Sequence, residues 1–251
     1  MDNTHRFLSV LGLAASFATA SCVASTADTD GDNEGSLGEA ELALSTYSFF
    51  PAKTGDYAGS YWNNPNTVGA NSFYDFTNEG GDCTNFANQA ILAGLANSID
   101  KLTVYNARLN WQDKQDSTND WWYSSPNSRA TPEWAGANGL FTYLKKQAAH
   151  PANQYPSWAG LMVTYVSSGA SVPAAATLQK GDVISLSTGG IAYHSVVVAQ
   201  VGASASTTYI AYRSAACDNN SCPANKVSMA TYGAGHPGIT WNVFRINGFR
   251  K

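Results

Sequence analysis

Between residues 80 and 94 the chain reads Gly-Gly-Asp-Cys-Thr-Asn-Phe-Ala-Asn-Gln-Ala-Ile-Leu-Ala-Gly. Phe86, Ala87, Ala90, Ile91 and Gly94 recur at a spacing that gathers them on one face of an α-helix. Asp82 stands where an N-cap belongs and Gly94 where a helix stops, with Asn85 and Gln89 on the polar flank. A shorter helix is predicted over 56–63, with Tyr57, Tyr61 and Trp62 turned inward. Another opens with Thr131 as N-cap and Pro132 at its first position, and carries Trp134, Leu140, Phe141 and Leu144 as its apolar stripe. It ends in Lys145, Lys146 and His150, the last read as a surface cation at the helix C-terminus. From residue 181 the period changes to two, and 181–186, 192–199, 207–212 and 239–245 read as strands, with a hairpin turn over 201–206. Helices in the first half and an antiparallel meander in the second predict an α+β domain without βαβ repeats.

The N-terminal residues lie outside that domain. Residues 1–21 read as a signal peptide, with an apolar run too short to span a bilayer. Thr19-Ala-Ser-Cys22 forms a degenerate lipobox, so Cys22 is either a lipidated mature N-terminus or lost with its surroundings. Residues 22–46 are acidic and nearly free of large apolar side chains, which predicts a disordered tether or propeptide. The domain is assigned to 47–251, and a monomer is expected. Within it, 106–129 is polar and holds Trp111, Trp121 and Trp122. This stretch reads as a surface excursion that either pins itself to the core or offers a substrate platform with Trp122.

Composition narrows the function classes. The 251 residues include 7 Trp, 13 Tyr and 10 Phe but only 13% charged residues, with a net charge of −4. Lys and Arg are scattered, so neither nucleic acid nor a basic membrane contact is expected.

The chemistry centres on Cys83 and His194. A cysteine in the first turn of a helix meets unpaired N–H groups and the positive end of the dipole, both of which favour a thiolate. Read alone, it is equally a small buried residue. His194, on a strand of the following sheet, is either a satisfied core residue or the base of a thiolate–imidazolium pair. The motif over 78–89, with Tyr57 and Tyr61 upstream, resembles the N-terminal motif of the bacterial putative amidase domain family. Trp134-Ala-Gly-Ala-Asn138 is similar to that family's middle helix. Gly-Asp-Val-Ile at 181–184, followed by His194-Ser-Val-Val-Val198, resembles its closing strands.

The resemblance implies a papain-like fold, related to CHAP and cell-wall endopeptidase domains, with N-terminal helices packed on an antiparallel sheet. It further implies Cys83 as nucleophile, His194 as base, and hydrolysis of an amide or peptide bond, with peptidoglycan the expected substrate. The Cys83 backbone N–H is a natural oxyanion donor; Tyr74 and Asn78 are within reach by sequence but not assigned. An acyl transferase and a non-catalytic glycan binder are the competing functions. Arg213 occupies the position where the family commonly carries a polar residue. A hairpin turning near Ala203 and Ser204 would set it opposite His194, where it could pair with a substrate carboxylate, leaving Asp218 as candidate orienter of the imidazole; a register slipped by one would instead send it to the other face, with Ser214 or Asp218 as the acceptor. Cys217 and Cys222 read as a local disulfide; a zinc site there lacks nearby histidines. No cofactor or metal is expected.

Overall fold

A computed structural model of the chain describes residues 44–64, 66–67, 71–76, 82–113, 121, 123–125, 129–155, 157–213 and 226–251. The leader and nearly all of the tether, Cys22, Asn78, Trp122, Ser214, Cys217, Asp218 and Cys222 lie outside the described residues.

The frame is a seven-stranded antiparallel sheet. Its strands are β1 (Thr46–Ser48), β4 (Gly160–Gly169), β5 (Val183–Thr188), β6 (Ile191–Gln200), β7 (Tyr209–Ala211), β8 (Lys226–Ser228) and β9 (Thr240–Arg250). Two short strands, β2 (Tyr123–Ser125) and β3 (Arg129–Ala130), pair separately. The expected meander holds over β5, β6 and β7; β8, not foreseen, extends it, and the expected fourth strand, β9, inserts between earlier ones instead. β9 runs beside β4 on one side and beside β5 and β1 on the other. β4 was not read from the sequence; it has no period-two pattern, its buried residues lying in its first half and none from Thr164 to Gly169.

Side-chain alternation divides the sheet into two faces. Val183, Val197, Ala199 and Ala211 belong to the core shared with the helices, whereas Ile184, Leu186, Val196, Val198 and Ile210 belong to a second core beneath α6 (Met229–Gly235). The helices on the first face are α1 (Pro51–Tyr61), α2 (Cys83–Ala96), α3 (Lys101–Ala107), α4 (Pro132–Ala135) and α5 (Ala137–Ala148). Thr131 does precede Pro132, but its side chain makes no capping bond, and the single helix expected there is broken in two at the extended Gly136. His150 lies just past the C-terminal end of α5, half-buried. Its ring stacks on Trp158 with centroids 3.8 Å apart, and its Nδ1 lies 2.7 Å from the Lys146 carbonyl.

α2 is the centre of the domain, and it corrects the amphipathic reading, since every residue from Cys83 to Leu95 is buried. Its polar side chains have partners from distant parts of the chain. Trp134 donates its indole N–H to Asn85 Oδ1 and Trp121 donates to Asn88 Oδ1, each at 2.8 Å. The Tyr57 hydroxyl donates to Gln89 Oε1 at 2.9 Å. The helix also runs past Gly94 to Ala96, where Asn97 takes the left-handed cap at φ 50°. Gly94 serves close packing instead: a Cβ there would strike Thr54 and Phe49, so α1 can cross α2 only over a residue without one.

Candidate active site

Cys83 is the first residue of α2 and is only 7% exposed. β7 ends at Ala211, opposite Val197. Beyond that end the Ser195 backbone amide favours the Cys83 thiolate, and the Thr84 hydroxyl lies 3.7 Å from the sulfur. On the helix face the Thr84 and Ser195 hydroxyls lie 3.3 Å apart, tying the first turn of α2 to the same strand segment. The chain therefore delivers its cysteine to the residue next to His194. The electrostatics differ from the expected thiolate. Burial pushes the thiol up, and the Ser195 N–H and the Thr84 hydroxyl offset only part of that.

Asp82 is not a helix cap in the expected sense, because its side chain bonds none of the first-turn backbone. Its wholly buried carboxylate accepts the Phe76 N–H at 3.2 Å, Asn85 Nδ2 at 2.6 Å, and a guanidinium N–H of Arg213. Burial pushes this carboxyl up to about 6, against the pull of Arg213 and Asn85.

His194 is 9% exposed and pairs with Leu186, and its ring lies with the second core against Tyr212 and Tyr232. The pairing of β6 with β5 shifts at this point, Leu186 facing His194 while Ser187 faces Ala192, so Tyr193 is an extra residue in the ladder. Such a bulge re-aims the side chains beside it. The Tyr193 and His194 rings end up 14° from parallel with centroids 6.5 Å apart. Tyr212 meets the imidazole at 84° and 4.7 Å. Tyr232, from α6, is near-parallel to it at 8° and 6.3 Å, and His236 stacks behind Tyr232 at 4.1 Å. Burial, and secondarily the charge of His236, push the imidazole down to about 4. No hydrogen bond joins it to the Cys83 sulfur among the described residues. At neutral pH the site rests as a thiol beside a neutral imidazole.

The remaining predicted residues fall in different places. Val197 faces Ala211 and Val198 faces Ile210, which displaces the expected register by one residue and sends Arg213 to the other face from His194. Its guanidinium lies on the helix side, on Asp82, with Asp75 4.0 Å away. Trp121 is fully buried rather than on a surface excursion, and Trp111 packs on Tyr47 and Phe249. Tyr74 holds the site's periphery through its backbone, its carbonyl accepting Asn85 Nδ2 at 2.9 Å. Asp182 of the Gly-Asp-Val-Ile motif receives two N–H bonds from Arg245 and anchors β5. Sequence reasoning missed Ser195, Tyr212 and Tyr232. Only the adjacency of Ser195 to His194 offered any signal, since the tyrosines are brought in by strand pairing and by a short helix. Among the described residues no group of three or more His, Cys, Asp or Glu side chains could hold a metal ion, and no helix is long and apolar enough to cross a membrane.

The profile of a family described as Putative amidase domain matches residues 50–237. No curated protein and no solved structure matches the chain.

Proposed function

Because the chain belongs to the Putative amidase domain family, we propose that it hydrolyses an amide or peptide bond of peptidoglycan, with Cys83 as nucleophile and His194 as general base in a papain-like arrangement. One contact carries this reading. The Thr84 and Ser195 hydroxyls, 3.3 Å apart, hold the first turn of α2, and Cys83 with it, against the strand residue next to His194. An imidazole that is neutral down to about pH 4 is unprotonated at neutral pH, as the reading requires, but burial makes it a weak base at rest.

As the sulfur attacks the scissile carbonyl carbon, a ring nitrogen of His194 takes the thiol proton, the C–S bond forms and the carbonyl π pair moves to oxygen. The Cys83 backbone N–H, in the first turn of α2, is the proposed oxyanion donor. Collapse of the adduct breaks the C–N bond, and the imidazolium gives its proton to the leaving amine. Water, deprotonated by His194, then attacks the thioester; the acid is released and the thiol regains its proton. Asp218 is the proposed orienter of the imidazole. The leader expected over residues 1–21 supports an envelope location. The burial of Trp121 removes one of three tryptophans from any glycan platform.

Incubation of peptidoglycan with wild type and with Cys83→Ala, followed by mass spectrometry of the fragments, tests the reading. New amine and carboxyl termini are expected with wild type alone. Equal fragmentation by Cys83→Ala would discard the mechanism.

A further inference from the structure

Asp82 directly precedes the proposed nucleophile, and Arg213 directly follows Tyr212, whose ring lies 4.7 Å from that of the proposed base. The ion pair between them therefore joins the two halves of the site through their chain neighbours. The ladder of β7 with β6 stops at Ala211, so Tyr212 and Arg213 run beyond the last strand pairing. On the α2 side the anchor is rigid. Asp82 is bonded to Phe76 and Asn85, and Asn85 is bonded in turn to the Tyr74 carbonyl and the Trp134 indole. As a source of stability the pair counts for little, because desolvation of two charges offsets their attraction. Its directional contacts, one guanidinium nitrogen on Asp82 and another 4.0 Å from Asp75, are suited to fixing a position.

We propose that Asp82 and Arg213 are a positioning pair, which sets the separation of Cys83 from His194 across the open end of β7. This rests on the Cys83–His194 reading above. Neither residue touches the reacting atoms; each acts through its neighbour in the chain.

The probe is iodoacetamide at pH 7.5, with the second-order rate of alkylation read at the Cys83 peptide by mass spectrometry, so that no natural substrate is needed. Wild type is compared with His194→Ala, Asp82→Asn, Arg213→Gln, Arg213→Lys and the double variant Asp82→Asn/Arg213→Gln. A displacement of the base from the thiol slows proton removal, and a loss of about tenfold to a hundredfold is expected in Asp82→Asn and in Arg213→Gln. The double variant is expected to be no slower than either single, as for residues acting as one unit, and Arg213→Lys is expected to be intermediate. The double variant also leaves no buried charge unpaired, so it keeps the test open where a single variant fails to fold.

The alternatives predict the opposite sign. The Asp82 charge disfavours the thiolate, so a merely electrostatic neighbour would give faster alkylation in Asp82→Asn. Local unfolding would also expose the thiol and speed the reaction. Either result, or a wild-type rate in a folded double variant, overturns the pair. An unchanged rate in His194→Ala would instead overturn the Cys83–His194 reading itself, whereas a slow His194→Ala beside fast pair variants sinks the positioning role alone.

Discussion

The His194 imidazole and the Tyr232 ring lie 8° from parallel with centroids 6.3 Å apart, on the face of the sheet opposite the helix that carries Cys83. The imidazole is thus enclosed by aromatic surface, which explains why its charged form is disfavoured. The linkage has a definite sign. Native His194 stays neutral down to about pH 4, while in the unfolded chain it takes a proton near the ordinary value of 6.5. Between those values the unfolded state binds more protons, so this residue's contribution to stability is lost as pH falls. Asp82 works in the opposite direction. Its native carboxyl holds a proton up to about 6, against an ordinary value of 3.8, so its cost appears as pH rises through that window. Between pH 6 and pH 4 the two contributions run in opposite directions and largely offset one another. Replacing His194 by Gln isolates one side: relative to wild type, His194→Gln should gain up to about 3 kcal/mol on going from pH 7.5 to pH 4, by urea unfolding. A pH-independent difference would show that the imidazole titrates as an exposed one.

Cys83→Ala and His194→Ala should each reduce hydrolysis by roughly three orders of magnitude or more, and the double variant little further, because nucleophile and base act as one unit. Initial rates on peptidoglycan fragments, with circular dichroism as the check on folding, decide it. Near-wild-type turnover in His194→Ala would reassign the base.

Asn88→Ala should destabilise the domain by about 1–3 kcal/mol, because it leaves the fully buried Trp121 indole N–H without its acceptor. Asn88 also donates to the carbonyls of Glu133 and Trp134, so the loss reaches α4. Thermal unfolding measures it, and a midpoint equal to wild type would mean that the network is not continuous.

Gly94→Ala should also destabilise, although alanine is the better helix former by about 1 kcal/mol. The added methyl meets Thr54 and Phe49 where α1 crosses α2, and overpacking of this kind typically costs about 1–3 kcal/mol. An increase in the unfolding midpoint would show that α1 shifts freely on its neighbour.

The helix start at Cys83 was legible because the apolar spacing of 86–94 and the preceding glycines are local signals. The helix's surroundings were not. Asn85, Asn88 and Gln89 look like a solvent face in sequence, and only Trp134, Trp121 and Tyr57, supplied by other segments, make them interior. His194 could be found as a histidine on a strand, but the bulge at Tyr193 that aims it depends on the register between two strands. The same kind of one-residue displacement moved Arg213 from the base to Asp82. Pattern reasoning finds elements well and register poorly, because a slip of one residue exchanges the faces of a strand without changing its period.

β9 is the last of the described strands, yet β1, β4 and β5 all pair with it. A nascent chain that stops short of residue 240 has its helices and hairpins in hand but no staple for the sheet, and it leaves strand edges open along three segments. The domain therefore cannot mature vectorially behind the ribosome; it closes only after synthesis has passed its final strand. The timing of the fold is thus written into the position of one strand.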